Sequence, residues 1–215
     1  MATTSSLKTV RDMLRLAVSR FTAAKLSFGH GSANAYDEAA YLVLHTLNLP
    51  LDTLDPFLDA RLLPEEIDAV HKVIDRRVNE RVPAAYITHE AFMHGLRFYV
   101  DSRVIVPRSF IGELLQDGLE PWIGDTGQIG PVLELCTGSG CLPIIAAHVW
   151  PHARIDAVDI SSDALAVARR NVADYKMEDR ITLYEGDLYA PLPSTATYDV
   201  ILTNPPYVNE QSMRD

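Results

Sequence analysis

Cysteine is scarce in this chain, and its two residues, Cys136 and Cys141, flank a glycine-rich turn with no histidine or further cysteine beside them. A structural metal site needs more ligands at set spacings and a disulfide scaffold needs more sulfur, so neither is expected and no metal is implied. Small core residues at the start of a strand-turn-helix unit are the simpler reading. Long hydrophobic runs are missing too. No apolar stretch approaches the ~20 residues that span a bilayer, and Met1 to Ser6 is polar, with no basic segment leading into an apolar one. A soluble cytoplasmic protein without membrane contact is therefore expected. Positive charge is in deficit: 19 Lys and Arg stand against 29 Asp and Glu, a net charge of -10. That balance opposes general attraction to a phosphate backbone, so stable nucleic-acid binding is not expected, and it suits a basic protein partner instead. The histidines form no base or ligand cluster; His148 and His152 merely border a helix.

What is present divides into two halves. The first 80 residues read as helices. Leu7, Val10, Leu14, Ala17, Val18 and Phe21 recur every three or four positions and share one face, with Arg11, Arg15 and Arg20 left to solvent. Tyr36 to Leu47 is a second helix, reached through the loop Phe28 to Ala35. A third opens at Pro64-Glu65-Glu66, where proline fits the first turn and the acids favour the positive end of the helix dipole. Residues 1–85 are thus expected to form a helical domain, serving as scaffold or as substrate-docking element. Phe92, Leu96, Phe98 and Val100 then alternate with polar or small residues, and Val104-Ile105-Val106 ends at Pro107. This predicts a hairpin within a linking segment, 86–108.

From residue 109 to 215 the pattern is a helix, Phe110 to Leu119, followed by strands and helices in alternation. Strands are expected at Val132 to Leu135, Ile155 to Val158, Ile181 to Tyr184 and Tyr198 to Leu202, and helices at Cys141 to Val149 and Ala164 to Tyr175. Such alternation implies an α/β fold of the Rossmann-like kind, a mostly parallel sheet with right-handed crossovers, covered on both faces. Ligands on these sheets sit at the carboxyl ends of strands near the switch in strand order.

The candidate chemistry falls at those ends. Glu134-Leu135-Cys136-Thr137-Gly138-Ser139-Gly140-Cys141 places two glycines and two hydroxyl residues after a strand, so the backbone can turn tightly and approach a ligand. No lysine follows the last glycine and the full dinucleotide pattern is absent. An acid at the strand end also repels a pyrophosphate, whereas it suits the amino group of a methionine moiety whose carboxylate the turn amides hold. Asp159, about 20 residues beyond the turn, stands where an acid accepts from ribose hydroxyls. Asp187, after the third strand, is placed to accept from an adenine amino group. Solvated acids or helix caps are the alternative for both. Asp163 reads as a first-turn helix residue.

The fourth strand runs into Asn204-Pro205-Pro206-Tyr207. Two prolines fix the backbone and remove two N–H donors, leaving carbonyls as acceptors. A planar NH2 group can be gripped there, one hydrogen by the Asn204 side-chain oxygen and the other by the Pro205 carbonyl, with Tyr207 stacked on the plane. An amide nitrogen is a poor nucleophile. Orientation within about 3 to 3.5 Å of the carbon it attacks and electrostatic help are what the site must supply.

With those residues in place, the chain resembles the N5-glutamine methyltransferase family along essentially its whole length. The resemblance implies a class I fold and S-adenosylmethionine as methyl donor. It implies cofactor contacts from Glu134, Cys136, Thr137, Gly138, Gly140, Asp159, Ile160, Asp187, Leu188 and Asn204, and a catalytic set of Asn204, Pro205, Pro206 and Tyr207. One branch of the family modifies peptide-chain release factors and usually continues its hairpin with Pro-Arg-Pro-Glu. Here Val104-Ile105-Val106-Pro107-Arg108-Ser109-Phe110-Ile111-Gly112-Glu113-Leu114, together with Phe98-Tyr99-Val100-Asp101 and the run Glu134 to Cys141, looks like the other branch, whose substrate is the third protein of the large ribosomal subunit. Arg103 and Arg108 are candidates for the mouth of the site or are ordinary surface arginines. The chain ends eight residues after Tyr207, while sheet logic calls for further strands to cover the last one. Additional sheet and part of the substrate wall are therefore expected beyond Asp215, and activity of these 215 residues alone is left open. Two rivals remain. An adenine-N6 nucleic-acid methyltransferase needs a basic track and a way to extract the base, which the acidic balance disfavours. A noncatalytic protein retaining the fold is not excluded by fold alone.

Overall fold

The computed structural model describes residues 7–29, 31–119, 122–124 and 126–206, in two compact units, one ending at His89 and the other starting at Glu90.

The first unit is helical: α1 (Val10–Ala23), α2 (Ala35–Thr46), α3 (Pro64–Val78) and α4 (Ala84–Thr88). Thr9 starts α1 with a capping box: its hydroxyl accepts from the Asp12 amide, and the Asp12 carboxylate accepts from the Thr9 amide. Of the expected stripe Val10, Leu14, Ala17 and Phe21 are buried and Leu7 and Val18 half-buried; with Met13, which the stripe did not include, they pack with Leu42, Val43, Val70 and Ile74. Arg11 and Arg20 reach outward to ion pairs with Asp59 and Asp75. One ion pair is inside. Arg77 donates to Glu38 at 2.6 Å, with both side chains buried, and its second nitrogen donates to the Ser27 carbonyl at 3.0 Å. The helix α4, which periodicity does not predict in so short a run, carries this unit past residue 85. His89 stops it in a left-handed conformation, φ 58°.

The second unit opens with β1 (Glu90–Met93) and β2 (Leu96–Tyr99), an antiparallel hairpin. Two expectations need correction here. Val104-Ile105-Val106 is not strand, because Asp101 takes the Arg103 amide at 3.0 Å and its carbonyl takes the Val104 amide, turning the chain away. The hairpin also lies within the second unit instead of linking two others. The Met93 and His94 side chains lie so close to Gly112 on α5 (Phe110–Gln116) that a Cβ there would sit 2.4 Å from Met93 Cε.

The rest alternates as expected: β3 (Pro131–Leu135), α6 (Cys141–Val149), β4 (Arg154–Asp159), α7 (Ser162–Asp174), β5 (Ile181–Glu185) and β6 (Val200–Thr203). All neighbours pair parallel in the order β5-β4-β3-β6. Because β3, β4 and β5 step in one direction, right-handed crossovers put α6 and α7 on the same face. That face buries Val132, Ile155, Ala157, Ile181 and Leu202 beneath α6. The opposite face holds a smaller cluster, Leu133, Leu135 and Val158 with Tyr184, Leu192 and Tyr198. The expected helical cover of both faces is thus seen on one among the described residues. Order reverses between β3 and β6, so the crevice between their carboxyl ends is the switch point. No helix among the described residues is long and apolar enough to cross a membrane.

Candidate active site

At the end of β3 the chain turns in four residues. Cys136, with φ 62°, adopts the left-handed region at a cost of roughly 1 kcal/mol for a residue with a Cβ. The Thr137 amide donates to the Val158 carbonyl at 3.0 Å, tying the turn to the end of β4. Gly140, at φ 75°, opens α6. The conformation leaves little choice of residue there, and a Cβ at Gly140 would come 3.1 Å from that of Ala168 on α7.

Glu134 lies on the helix-covered face and is 2% exposed. Burial pushes its carboxyl up to about 8; the Thr137 hydroxyl, which donates to it, opposes this, and the like charge of Asp159 adds to it. A buried acid whose charged neighbour has the same sign is a seat for a cation, and the ammonium of an amino acid fits that chemistry. Asp159 braces the turn directly: one oxygen accepts from the Gly138 amide at 2.8 Å and the other from the Ser161 amide at 2.9 Å. Neither bond caps α7, whose N-cap is Ser161, and each carboxylate oxygen keeps further lone pairs for ribose hydroxyls.

The Gly186 amide donates to the Asp159 carbonyl at 3.0 Å, so the loop after β5 begins beside the end of β4. Asp187 and Leu188 are exposed on that loop, and Ile160, exposed by 72%, follows Asp159. Two apolar side chains beside two acids suit a flat aromatic base with a polar edge. On the other side of β3, Thr203 stands in register with Leu135, so Asn204 leaves the sheet beside Cys136. Cys136 records the convergence. Its thiol is pushed up by burial and by the charges of Asp159, Glu134 and Asp187, and it is hydrogen-bonded with Thr203. Asn204 is half-buried and Pro205 and Pro206 are exposed; Tyr207 lies outside the described residues. Cys141 is buried, its thiol pushed up to about 12, as suits a core residue.

Arg103 does not offer itself to the mouth: it is engaged by Asp101, with contacts at 2.9 and 2.6 Å. Arg108 is exposed. Thr203 and Asn171 escaped the sequence reading. The only signal for Asn171 was a polar residue on the apolar stripe of α7, at the spacing of Ala164, Val167 and Ala168. Among the described residues no group of three or more His, Cys, Asp or Glu is arranged to hold a metal.

Residues 119–215 match the methyltransferase small domain. A ribosomal protein uL3 glutamine methyltransferase of Burkholderia pseudomallei is 67% identical over 214 residues, spanning 97% of this chain and 70% of the relative. That of Bordetella pertussis is 62% identical over 207 residues, spanning 96% of this chain and 69% of the relative. Among solved structures, a human methyltransferase 10 domain containing protein is 20% identical, with a TM-score of 0.45 over 55% of this chain and 58% of that one. Identity at the level of the first two, running through the helical unit and the sheet alike, makes this chain a member of the ribosomal protein uL3 glutamine methyltransferase family.

Proposed function

We propose that the protein transfers a methyl group from S-adenosylmethionine to the side-chain nitrogen of a glutamine in ribosomal protein uL3. The observation that carries this is the pairing of β3 with β6, which sets the glycine turn and Asn204-Pro205-Pro206 side by side at the switch point. Bound there, S-adenosylmethionine supplies a methyl carbon activated by the neighbouring sulfonium.

The chain's own residues do the rest. Glu134 holds the ammonium of the donor's methionine end; the Thr137, Gly138 and Gly140 amides, expected to hold its carboxylate, instead donate within the protein and shape the turn around it. Asp159 accepts from the ribose, while Ile160 and Leu188 flank the adenine whose amino group Asp187 receives. Asn204 Oδ1 and the Pro205 carbonyl accept the two amide hydrogens of the substrate glutamine; Pro206 stiffens the loop and Tyr207 stacks on the amide plane. This grip keeps electron density on nitrogen and aims it at the methyl carbon. The glutamine nitrogen attacks that carbon, the carbon–sulfur bond breaks with its electron pair going to sulfur, and the extra proton leaves nitrogen for water afterwards. No strong base is required beforehand. A basic ribosomal protein also suits a chain of net charge -10.

The test uses labelled S-adenosylmethionine with uL3, a release factor and duplex DNA in separate reactions, mapping label by mass spectrometry. Label on a uL3 glutamine alone is the expected result. Label on the release factor or on adenine alone would transfer the assignment to that substrate.

A further inference from the structure

Asn171 is a buried polar residue on α7, 1% exposed, that the mechanism above does not use. All its hydrogen-bonding capacity toward neighbours is directed. Its Oδ1 accepts from the Tyr99 amide at 2.7 Å, and its Nδ2 donates to the Tyr99 carbonyl at 3.0 Å and to the Ser139 carbonyl at 2.8 Å. Tyr99 ends the hairpin strand β2; Ser139 lies inside the glycine turn. One helical turn earlier on the same face of α7, Ala168 is the residue against which Gly140 closes.

We propose that Asn171 is a positioning residue for methyl-donor binding: it clamps the end of the hairpin and the glycine turn to one face of α7, so that hairpin position and donor affinity are coupled. This rests on reading the turn as the methyl-donor cradle. The physical case is directional. A side-chain amide has two donors and one acceptor oxygen, and the site supplies two carbonyls and one N–H to match. Leucine or alanine would take the side-chain partner from three backbone groups, one buried and two part-buried, and aspartate would set an oxygen against two carbonyl oxygens. The Gly138 amide, which donates to Asp159, and the Gly140 amide, which donates to the Thr137 carbonyl, are each one residue from the Ser139 carbonyl so held, which is why a loss there reaches the shape of the cradle.

A control sits on the same helix segment. The Tyr175 hydroxyl accepts from the Arg97 amide and donates to the Arg97 carbonyl, both at 2.9 Å, holding the same strand without touching the turn. Tyr175→Phe therefore loosens the hairpin at Arg97 and leaves the Asn171 bonds to Tyr99 and Ser139, through which the coupling runs, in place.

The experiment measures S-adenosylmethionine affinity by calorimetry, together with thermal midpoint, for the wild-type protein, Asn171→Ala, Asn171→Asp and Tyr175→Phe. Asn171→Ala and Asn171→Asp should raise Kd roughly tenfold or more, and raise KM for the donor more than they lower kcat at saturation. Tyr175→Phe should keep the wild-type Kd even where its midpoint falls. A measurement on the unaltered protein covers variants that fail to fold: saturating donor should slow hydrogen exchange at the Tyr99 amide. Asn171 variants with a lowered midpoint but wild-type Kd, or a Tyr99 amide indifferent to the donor, would overturn the coupling and leave the donor site standing. Wild-type protein that binds no donor would overturn the donor reading and this inference with it.

Discussion

At the residue scale the informative groups are buried polar atoms, and Glu134 is the clearest. Its carboxyl is raised from 4.5 to about 8 by desolvation first. A carboxyl raised on folding contributes stability that is fully present below its unfolded value and lost as pH rises through the folded one. The ligand-free protein should therefore lose stability between about pH 4.5 and pH 8 on this account, and Glu134→Gln should flatten that part of a thermal midpoint profile. An unchanged profile would mean that Glu134 titrates normally. The same group predicts proton release when S-adenosylmethionine binds at neutral pH, because an ammonium favours the carboxylate. Calorimetry in buffers of different ionisation enthalpy reads that directly, and Glu134→Gln should abolish it while weakening binding. Asn204 belongs to the reaction instead. Asn204→Ala should lower kcat by about a hundredfold, the order found on removing one positioned transition-state partner, with donor Kd kept. Unchanged turnover would remove it from the amide grip.

Among elements, the hairpin is the one whose role changes between sequence and structure. Alternating Phe92, Leu96, Phe98 and Val100 mark two strands, and they form. What alternation does not encode is the partner. Gly112 on α5 lets the Met93 and His94 side chains close in, and Asn171 and Tyr175 on α7 hold the second strand. Gly112→Ala would place a Cβ 2.4 Å from Met93 Cε and 2.5 Å from His94 Nε2. Methionine is flexible, but the imidazole must shift too, so a loss of about 1 to 3 kcal/mol is expected from overpacking. Denaturant unfolding would measure it; a wild-type midpoint would show that the hairpin yields without cost. The misread stretch 104–106 has the same lesson in reverse. Three β-branched residues favour strand locally, and one carboxylate, Asp101, wins by bonding the Arg103 amide and side chain.

For the whole molecule, two units with separate cores imply separable stability. The buried pair Arg77–Glu38 supports the helical unit, and Arg77→Ala would leave Glu38 desolvated without its partner. A loss of about 3 to 5 kcal/mol is expected for removing one member of such a pair, in a transition confined to residues up to His89. Donor binding, proposed for the second unit, should persist at temperatures where the first has melted. Calorimetric scanning with and without S-adenosylmethionine separates the cases: a single transition shifted as a whole would refute independence. The sheet is asymmetric at this scale. Among the described residues β6 pairs with β3 alone, and Ile201 is 50% exposed.

Sequence was sufficient wherever a periodicity or a backbone requirement is local. The stripe of α1, the start of α3 at Pro64, the alternation behind the parallel sheet and the glycine turn before Cys141 could all be read directly, because each depends on residues a few positions apart. The candidate site was legible for a related reason: Glu134 and Asp159 lie in the last two positions of β3 and β4, Asp187 and Asn204 just beyond β5 and β6, and parallel strands deliver their ends to one edge. Tertiary structure alone decided what those residues meet. Only the β3–β6 pairing makes Thr203 a neighbour of Cys136, only burial and the approach of Asp159 raise Glu134, and only the approach of α7 gives Asn171 its three partners. Such contacts join positions from 32 to 72 residues apart, and the dielectric and geometry they experience exist only once the chain has closed around them.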